Sequence, residues 1–474
     1  MKEYLPNPVN ELMRASFSGR ISRREAMKRG ALLGLSGSMM GTILAAHGAA
    51  AQDASPAAEA QPAGWSITVP EGLPDLSGAT LNVMLASDGP GAPFDQACCD
   101  KFAEATGATV NYIKGAESAT ERLTFLLQTM AAQSSDIDVA QIDVIWPGIF
   151  ASHAVDLTDQ VGDIGFFDRI MENNTVDGKL VGLPWFTDAG LLYYRTDLLE
   201  KYGYSAPPET WDELTEMAQT IMDGEVAENS AFTGFTFQGG AYEGLTCNAL
   251  EWQFSNGGGT IIDSDGSVTV NNDQAKAAFE LAASWVGTIA PEAVTGYMEE
   301  DSRAVWQGGN CAFHRNWPYA YVLSAADDSV IKDVFNITQL PMGSGDGASH
   351  AATLGGWQMF VSNYSQNQDA AKAFAAYMVS PELQKARAIE RSALPTIGDL
   401  YQDADILAAN PFFGDLYDTF ATGSVARPST ASADLYGEVS QVYFTGVNEI
   451  LTGSDVNEKV DSISSDLEDI MADL

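Results

Sequence analysis

Basic side chains are scarce in this sequence: 24 Lys and Arg stand against 64 Asp and Glu over 474 residues, a formal net charge of −40. A nucleic-acid-binding protein needs a basic face that neutralises phosphates, so this balance excludes that class. Residues 1–51 carry seven Lys or Arg and three Glu, a net charge of +4, so residues 52–474 carry −44. We interpret this acidity as a solvated coat typical of a saline habitat, because salt screens the self-repulsion of such a surface.

Cysteine and histidine are also rare, with four of each in the chain. Neither a Cys-x-x-Cys nor a His-x-x-x-His spacing occurs, so we expect no metal site and no cofactor. An oxidising compartment permits disulfides, and four cysteines allow three connectivities. A bridge between the neighbours Cys98 and Cys99 is strained, which leaves Cys247 with Cys311 as the predicted pair.

Long apolar runs are absent apart from one near the start, about Gly30 to Ala46, which is too short to span a bilayer comfortably. It follows the pair Arg23–Arg24 and precedes the small residues 49–51, a pattern typical of a secretory signal of the twin-arginine type. We therefore predict a signal over 1–51 and a flexible leader over 52–64, rich in Ala, Pro and Gln. The signal contains no cysteine for a lipid anchor, so a soluble periplasmic or otherwise extracytoplasmic protein is expected.

Alternating strand and helix patterns follow the leader, in a chain whose length favours two domains. Strands are predicted over 80–85, 109–112 and 139–146, with helices between them, and this β-α-β-α-β order predicts a mainly parallel sheet covered by helices. Ligands of such sheets bind beyond the carboxyl ends of the strands. The loop 87–89 and Asp143 are therefore candidate site positions.

Local signals punctuate the middle of the chain. Thr210 to Glu213 forms a capping-box pattern that predicts a helix start, and Ser380-Pro381-Glu382 predicts another. The run Asp263 to Gly266 predicts a tight hairpin turn. A calcium loop is rejected there, because the full ladder of oxygen ligands with its terminal Glu is missing.

Several segments, in one order along the chain, resemble a known family. Residues 65–474 are similar to extracytoplasmic solute-binding proteins of ATP-driven sugar importers, most of all to the trehalose/maltose-binding branch. The segments that carry this resemblance are 142–147, 183–195, 207–211, 242–247, 315–321 and 354–357.

The resemblance implies an α/β fold of two lobes, each a mainly parallel sheet with flanking helices, joined by a hinge and closing on a sugar. We place one lobe at 65–186 plus 361–405 and the other at 187–360 plus 406–474. The family also implies a non-catalytic, monomeric carrier that delivers its sugar to membrane permease subunits, whose transport is powered by separate ATPase subunits.

A sugar offers flat C–H faces and a ring of hydroxyls, which aromatic rings, carboxylates and arginines bind. The resemblance implies ligand contacts by Asp143, Phe186, Asp188, Trp317, Gly355, Gly356, Trp357 and Arg427, and at weaker positions by Arg122 and Thr120. Structural alternatives stay open: a turn contact for Asp143, a salt bridge for Asp188, core packing for the aromatic residues, an acidic network for Arg427. A carboxylate that the family has in the first loop does not align, and Asp88 or Asp95 is the proposed substitute. Glu243 and Glu251 are assigned to lobe packing.

Two other functions were weighed against a sugar carrier. A secreted glycosidase needs a carboxylate pair flanking the scissile bond, and counting acids does not refute it, although no nucleophile elbow, metalloprotease motif or phosphate loop occurs. A carrier of another solute, such as a polyol, a peptide or a phosphorylated sugar, is the stronger alternative. We expect no enzyme activity, and a neutral disaccharide such as trehalose, maltose or sucrose as the ligand.

Overall fold

The computed structural model describes residues 65–85, 91–415, 417, 419, 424–472 and 474. The strands of this part are β1 (Thr80–Leu85), β2 (Thr109–Lys114), β3 (Val139–Asp143), β4 (Thr175–Val176), β5 (Lys179–Leu180), β6 (Gly182–Ala189), β7 (Leu191–Arg195), β8 (Thr233–Thr236), β9 (Cys311–Asn316), β10 (Phe335–Thr338), β11 (Ala352–Val361) and β12 (Ser424–Val425).

The helices of the described part vary from a single turn to sixteen residues. They are α1 (Gly91–Thr106), α2 (Ala119–Ala131), α3 (Pro147–Phe150), α4 (Asp168–Asn174), α5 (Thr196–Lys201), α6 (Trp211–Glu225), α7 (Glu243–Ser255), α8 (Asp273–Trp285), α9 (Glu299–Gln307), α10 (Ala320–Ser324), α11 (Gln368–Met378), α12 (Pro381–Arg391), α13 (Ala404–Ala409), α14 (Phe412–Asp415), α15 (Ser429–Ser432), α16 (Tyr436–Leu451) and α17 (Val456–Met471).

The first sheet has the order β12-β11-β3-β1-β2, with β6 also paired to β11. Strand β1 is parallel to β2 and β3, as the repeating strand-helix pattern predicts. Helices α1 and α11 pack on one side of it through Phe94, Phe102 and Phe374. Strand β11 runs antiparallel to both β3 and β6, and it is the element that carries the predicted Gly-Gly-Trp segment.

The second sheet has the order β10-β7-β9-β8. Its strand directions correct one expectation, because β7 is antiparallel to β9 and β10, and only the β8–β9 pair among these strands is parallel. The strand-helix repeat that predicts parallel pairing covers residues 80–143. Strands of the second sheet come from distant parts of the chain, so that repeat does not fix their directions.

Each sheet with its helices is called a lobe below. The first lobe has the β1-β2-β3-β6-β11 sheet, and the second has the β7-β8-β9-β10 sheet with a core of aromatic rings from α6, α7 and α8. The chain passes from β6 to β7 through the single residue Gly190. A further core joins β7 to the region after α12, where Leu394 and Tyr401 pack with Leu191. The bounds of the lobes stay a prediction.

Local predictions hold where side chain and backbone interact directly. Thr210 accepts a hydrogen bond from Glu213 N, and the Glu213 carboxylate accepts from Thr210 N, which is the predicted capping box. Ser380 caps α12 with Pro381 in the first turn. Gly266 N donates to Asp263 O and Asp263 N donates to Ser267 O, each at 2.9 Å, which closes the predicted tight turn.

All four cysteines lie in the described part, and all are buried free thiols. The predicted Cys247–Cys311 disulfide is therefore wrong. Cys311 belongs to the core of β7 and β9 with Trp306, whereas Cys247 is on α7 at the wall of the cleft described below. Burial raises the pKa of both thiols.

Three predictions concern residues that the structure does not describe: the signal over 1–51, the leader over 52–64 and the loop 87–89 with Asp88. Within the described ranges, no helix combines the length and the apolar character that a bilayer span requires.

Candidate functional site

A cleft between the two lobes brings together nine of the ten predicted ligand positions. Its lining includes Arg122, Asp143, Phe186, Asp188, Trp317, Gly355, Gly356, Trp357 and Arg427. Thr120 is not part of the lining, but its hydroxyl accepts a hydrogen bond from Glu243 N across the lobes, at 3.4 Å. Contact of these residues with a ligand stays a prediction.

The register of β11 produces the wall of the first lobe. Trp357 on β11 is paired with Asp143 on β3 and with Phe186 on β6, and Gly355 is paired with Asp188. Because paired residues of neighbouring strands share a face of the sheet, one row presents a carboxylate, an indole and a phenyl ring. These segments are 43 to 214 positions apart in the sequence, and the sheet makes them neighbours.

A buried ion network closes one end of the cleft. Arg427 donates from Nη2 to Asp143 Oδ1 at 2.8 Å and from Nη1 to Glu243 Oε1 at 2.7 Å. Glu243 also accepts from Tyr436 Oη at 2.5 Å and from Ser440 Oγ at 2.6 Å. Burial raises the pKa of the Glu243 carboxyl, against the opposing effect of the Arg427 guanidinium. Arg427 thus joins a carboxylate of the first lobe to one of the second.

Two arginines of the cleft already lie over aromatic rings of the first lobe. The Arg122 Cζ is 4.5 Å from the centre of the Trp357 ring, and Arg122 Nη1 donates to Ala116 O at 2.8 Å. Arg387 Cζ is 4.0 Å from the Trp185 ring, and its guanidinium pairs with Asp95. Both guanidiniums line the cleft together with the rings.

Asp95 was one of two substitutes proposed for the missing first-loop carboxylate, and it does line the cleft. It lies on α1 and pairs with Arg387. Trp185, which the sequence assigns mostly to the core, is also at the cleft, and its Nε1 is buried with no hydrogen-bond partner among the described residues. Trp185 is buried in β6 like a core residue, so the sequence gives no signal that it lines the cleft.

The second lobe contributes Trp317 and the acidic start of α9. Trp317 Nε1 donates to Glu299 Oε1 at 3.4 Å, and Tyr242 Oη donates to Glu299 Oε2 at 2.6 Å. Tyr319 Oη donates to Glu300 Oε1 at 2.8 Å. Glu299, Glu300 and Asp301 are cleft residues that the sequence does not predict. Acids are common in the first turn of a helix, so their run alone does not indicate a cleft.

The space beside the two predicted glycines is filled by protein atoms. A Cβ on Gly356, whose φ is +127°, would lie 2.7 Å from Phe186 O. A Cβ on Gly355 would lie 3.1 Å from the Trp317 ring and 3.0 Å from Asp188 Cβ. Gly356 therefore lets β11 approach β6, and Gly355 lets a ring of the second lobe approach the first.

The cleft carries more negative than positive side chains. Its lining has the eight carboxylates of Asp95, Glu117, Asp143, Asp188, Glu243, Glu299, Glu300 and Asp301 and the four guanidiniums of Arg122, Arg387, Arg391 and Arg427. Within the described ranges, no group of three or more His, Cys, Asp or Glu is arranged to hold a metal ion. The arrangement offers hydrogen-bond acceptors and aromatic faces to a solute.

Comparison with known proteins defines the class. The family model of the bacterial extracellular solute-binding proteins matches residues 86–385. A probable ABC transporter-binding protein of Deinococcus radiodurans is 47% identical over 377 residues, which cover 78% of this chain and 89% of that protein. The chain belongs to the bacterial extracellular solute-binding family, and it is the solute-binding component of an ABC transporter rather than an enzyme.

Solved structures confirm the two-lobed fold. A maltose-bound T. maritima protein, MalE3, matches with a TM-score of 0.78 and 36% identity, over 82% of this chain and 99% of that chain.

Another relative by sequence is a lactose-binding protein of Rhizobium radiobacter, which is 26% identical over 334 residues, 67% of this chain and 73% of that protein. A membrane permease is the partner that membership of an ABC transporter implies.

Proposed function

We propose that the cleft binds a neutral disaccharide, such as maltose, trehalose or sucrose, and that both lobes close on it for delivery to the permease. The observation that carries this proposal is that each lobe contributes one aromatic ring to the cleft, Trp317 or Trp357, and that each ring has a carboxylate beside it: Glu299 beside Trp317 and Asp143 beside Trp357. Flat rings stack on the C–H faces of pyranoses, and charged acceptors bind hydroxyl groups strongly.

The charge of the cleft favours a neutral ligand over a phosphorylated sugar. Its lining has eight carboxylates and four guanidiniums, and Arg387 and Arg427 are paired with carboxylates of the same cleft. A phosphate group would meet net negative charge and would have to compete for those arginines. The names of a maltose-bound and a lactose-binding relative support a disaccharide.

A polyol or a peptide is the remaining alternative. An open-chain polyol has no ring face that would stack on Trp317, and a peptide needs backbone partners at regular spacing. The structural features above favour a pyranose over both.

The test is isothermal titration calorimetry of the purified protein with maltose, trehalose, sucrose, lactose, mannitol and glucose 6-phosphate at high salt. We expect one neutral disaccharide to bind, and Trp317→Ala to raise its Kd about tenfold or more, equivalent to about 1.4 kcal/mol. Trp65→Ala is the matched control, because Trp65 is a half-buried indole that packs on Phe94 and is not part of the lining of the cleft.

Binding of mannitol or glucose 6-phosphate alone would keep the carrier and overturn the disaccharide. Equal losses of affinity in the Trp317 and Trp65 variants would remove Trp317 from the site. Disappearance of the sugar during titration would contradict the assignment to a carrier.

We also propose that the chain is exported by the twin-arginine route, on the pattern around Arg23–Arg24, and that it acts as a monomer. The predicted lobe bounds, 65–186 plus 361–405 and 187–360 plus 406–474, belong to the same proposal, except that all of β6 and β11 go to the first lobe, because they pair within its sheet. Replacement of Arg23 and Arg24 by Lys tests the route, since it should leave the precursor in the cytoplasm.

A further inference from the structure

All three cleft tryptophans have a guanidinium over the ring, but only the one over Trp317 comes from a residue outside the lining of the cleft. The Arg315 Cζ is 4.0 Å from the centre of the Trp317 ring. Arg315 itself is 1% exposed and lies behind the ring, outside the lining of the cleft. The guanidinium therefore covers the face of Trp317 that is turned to the protein interior.

The plane of this guanidinium is fixed by a buried fork of hydrogen bonds. Arg315 Nε donates to Glu251 Oε2 at 2.9 Å, Nη2 donates to Glu251 Oε1, and Nη1 donates to Gln238 Oε1 at 3.0 Å. Glu251 is 0% exposed. Arg is suited to such a site because its planar fork binds a carboxylate at two points and stacks on a ring, which a lysine ammonium does not do.

Other contacts of Trp317 hold its backbone and its edge. Tyr193 Oη donates to Trp317 O at 2.7 Å, and Asn316 Oδ1 accepts from Trp317 N at 2.8 Å. The indole Nε1 reaches Glu299 at 3.4 Å. Rotation about the side-chain bonds is restricted at the edge by the long bond to Glu299 and on the face by Arg315.

The ion pair also lies against two of the chain segments that link the lobes. A Cβ on Gly190, between β6 and β7, would lie 2.1 Å from Glu251 Oε1 and 2.6 Å from Arg315 Nη2. Thr353 N, at the start of β11, donates to Glu251 Oε1 at 3.1 Å. Glu251 is thus bonded to a strand of the first lobe and to the arginine beneath the ring of the second.

We propose that Arg315 is a positioning residue, which presents the free face of Trp317 to the cleft and, through Glu251, ties that ring to the crossing between the lobes. This inference rests on the proposed function, since it gives Trp317 the sugar-stacking role. It assigns to Glu251 and Arg315 a part in ligand binding although neither touches the ligand.

The first test uses Arg315→Lys, which keeps the charge opposite Glu251 and removes the planar group beneath the ring. We expect the Kd for the sugar to rise about tenfold, measured where the variant is fully folded; its urea midpoint of unfolding should fall as well, because lysine does not replace all the bonds to Glu251 and Gln238. In the Trp317→Ala background, the same change should alter the Kd less than twofold, because the effect of Arg315 passes through Trp317. Arg195→Lys is the matched control, since Arg195 at the end of β7 in the same lobe forms a fork to Asp197 on α5.

The second test needs no ligand. The indole N–H resonance of Trp317, assigned by its loss in Trp317→Phe, should shift or broaden in Arg315→Lys and stay in place in Arg195→Lys. If Arg315→Lys does not fold, the neutral pair Glu251→Gln with Arg315→Gln takes its place, because it leaves no buried charge without a partner.

A variant at Arg315 that binds the sugar like the wild type, with an unmoved indole resonance, would overturn the inference. Additive losses in the double variant would also do so, since they would separate Arg315 from Trp317. If the wild type binds none of the sugars, the proposed function fails, and the indole resonance alone decides whether Arg315 positions the ring.

Discussion

Arg427 shows how one residue serves two lobes. The family resemblance implies a sugar contact for it, with an acidic network as the alternative, and in the structure its terminal nitrogens bond to Asp143 and Glu243. Its Nε is buried without a hydrogen-bond partner in the described part of the chain. The network is present whether or not a solute also contacts this arginine.

Arg427→Met should therefore destabilise the protein. Its removal leaves two buried carboxylates facing each other without a cation, and breaking a buried pair in this way costs about 3–5 kcal/mol. Urea unfolding measures the change. Arg195→Met, whose partner Asp197 is 38% exposed, should cost no more than about 1 kcal/mol. Equal costs in the two variants would show that the network contributes no special stability.

His314 gives a dependence of stability on pH. Burial lowers its pKa to about 3, from an ordinary value of 6.5. Its Nδ1 faces Thr236 O at 3.3 Å and its Nε2 faces Asn316 Nδ2 at 3.0 Å, so the neutral ring satisfies both neighbours. The unfolded chain takes up a proton near pH 6.5, but the folded protein does so only near pH 3. The contribution of His314 to the free energy of unfolding is thus complete above pH 6.5 and is lost as the pH falls toward about 3.

We expect His314→Gln, which does not titrate, to unfold with a weaker pH dependence between pH 6.5 and 4 than the wild type. Urea midpoints at several pH values measure both slopes, and the difference isolates His314 from the many carboxylates. Identical slopes would mean that the ring titrates alike in the folded and unfolded states.

At the scale of elements, β11 holds the site together because it pairs with β3, β6 and β12. Gly356→Ala should disturb that pairing, since a Cβ there meets Phe186 O and the φ of +127° is strained for any side chain. The expected cost is about 1–3 kcal/mol, with weaker sugar binding in calorimetry. Gly148→Ala is the control, because nothing lies within 4 Å of its Cβ position. Similar unfolding midpoints in both variants would contradict this role.

The sequence predicts elements better than it predicts their partners. Strand β1, the start of α6 and the turn at Asp263 follow from periodicity and side-chain capping, which act over a few residues. The antiparallel pairings of β7 depend on contacts between residues far apart in the chain, so no local pattern reveals them.

The candidate site likewise contains residues that the sequence predicts and residues that only the fold brings to the cleft. Asp143, Trp317 and Arg427 were found because their residue types are unusual for their places in the chain, and family resemblance aligned them. Glu299 resembles any helix-starting acid, and Trp185 resembles any core residue, so their positions at the cleft required the fold. The free thiols of Cys247 and Cys311 were missed because an oxidising compartment permits a bridge but does not bring two side chains together.

At the scale of the whole molecule, the excess of acidic side chains makes the stability of the fold depend on the salt in the solvent. The formal net charge of the chain is −40. Exposed ion pairs such as Lys332–Asp327 and Lys101–Glu104 compensate little of it, because water and salt screen them. Repulsion among the remaining carboxylates opposes the folded state, in which they are held closer than in the unfolded chain.

Salt should therefore stabilise this protein. Raising NaCl from 0.01 M to 1 M shortens the screening length from about 30 Å to about 3 Å, which removes most repulsion between exposed carboxylates. The urea midpoint of unfolding should rise over this range, and KCl should have the same effect, because screening does not distinguish the two cations. A larger effect of one cation would indicate specific binding instead. A midpoint that falls with salt would mean that attractive pairs dominate, and the interpretation of the acidic surface as a solvated, self-repelling coat would be wrong.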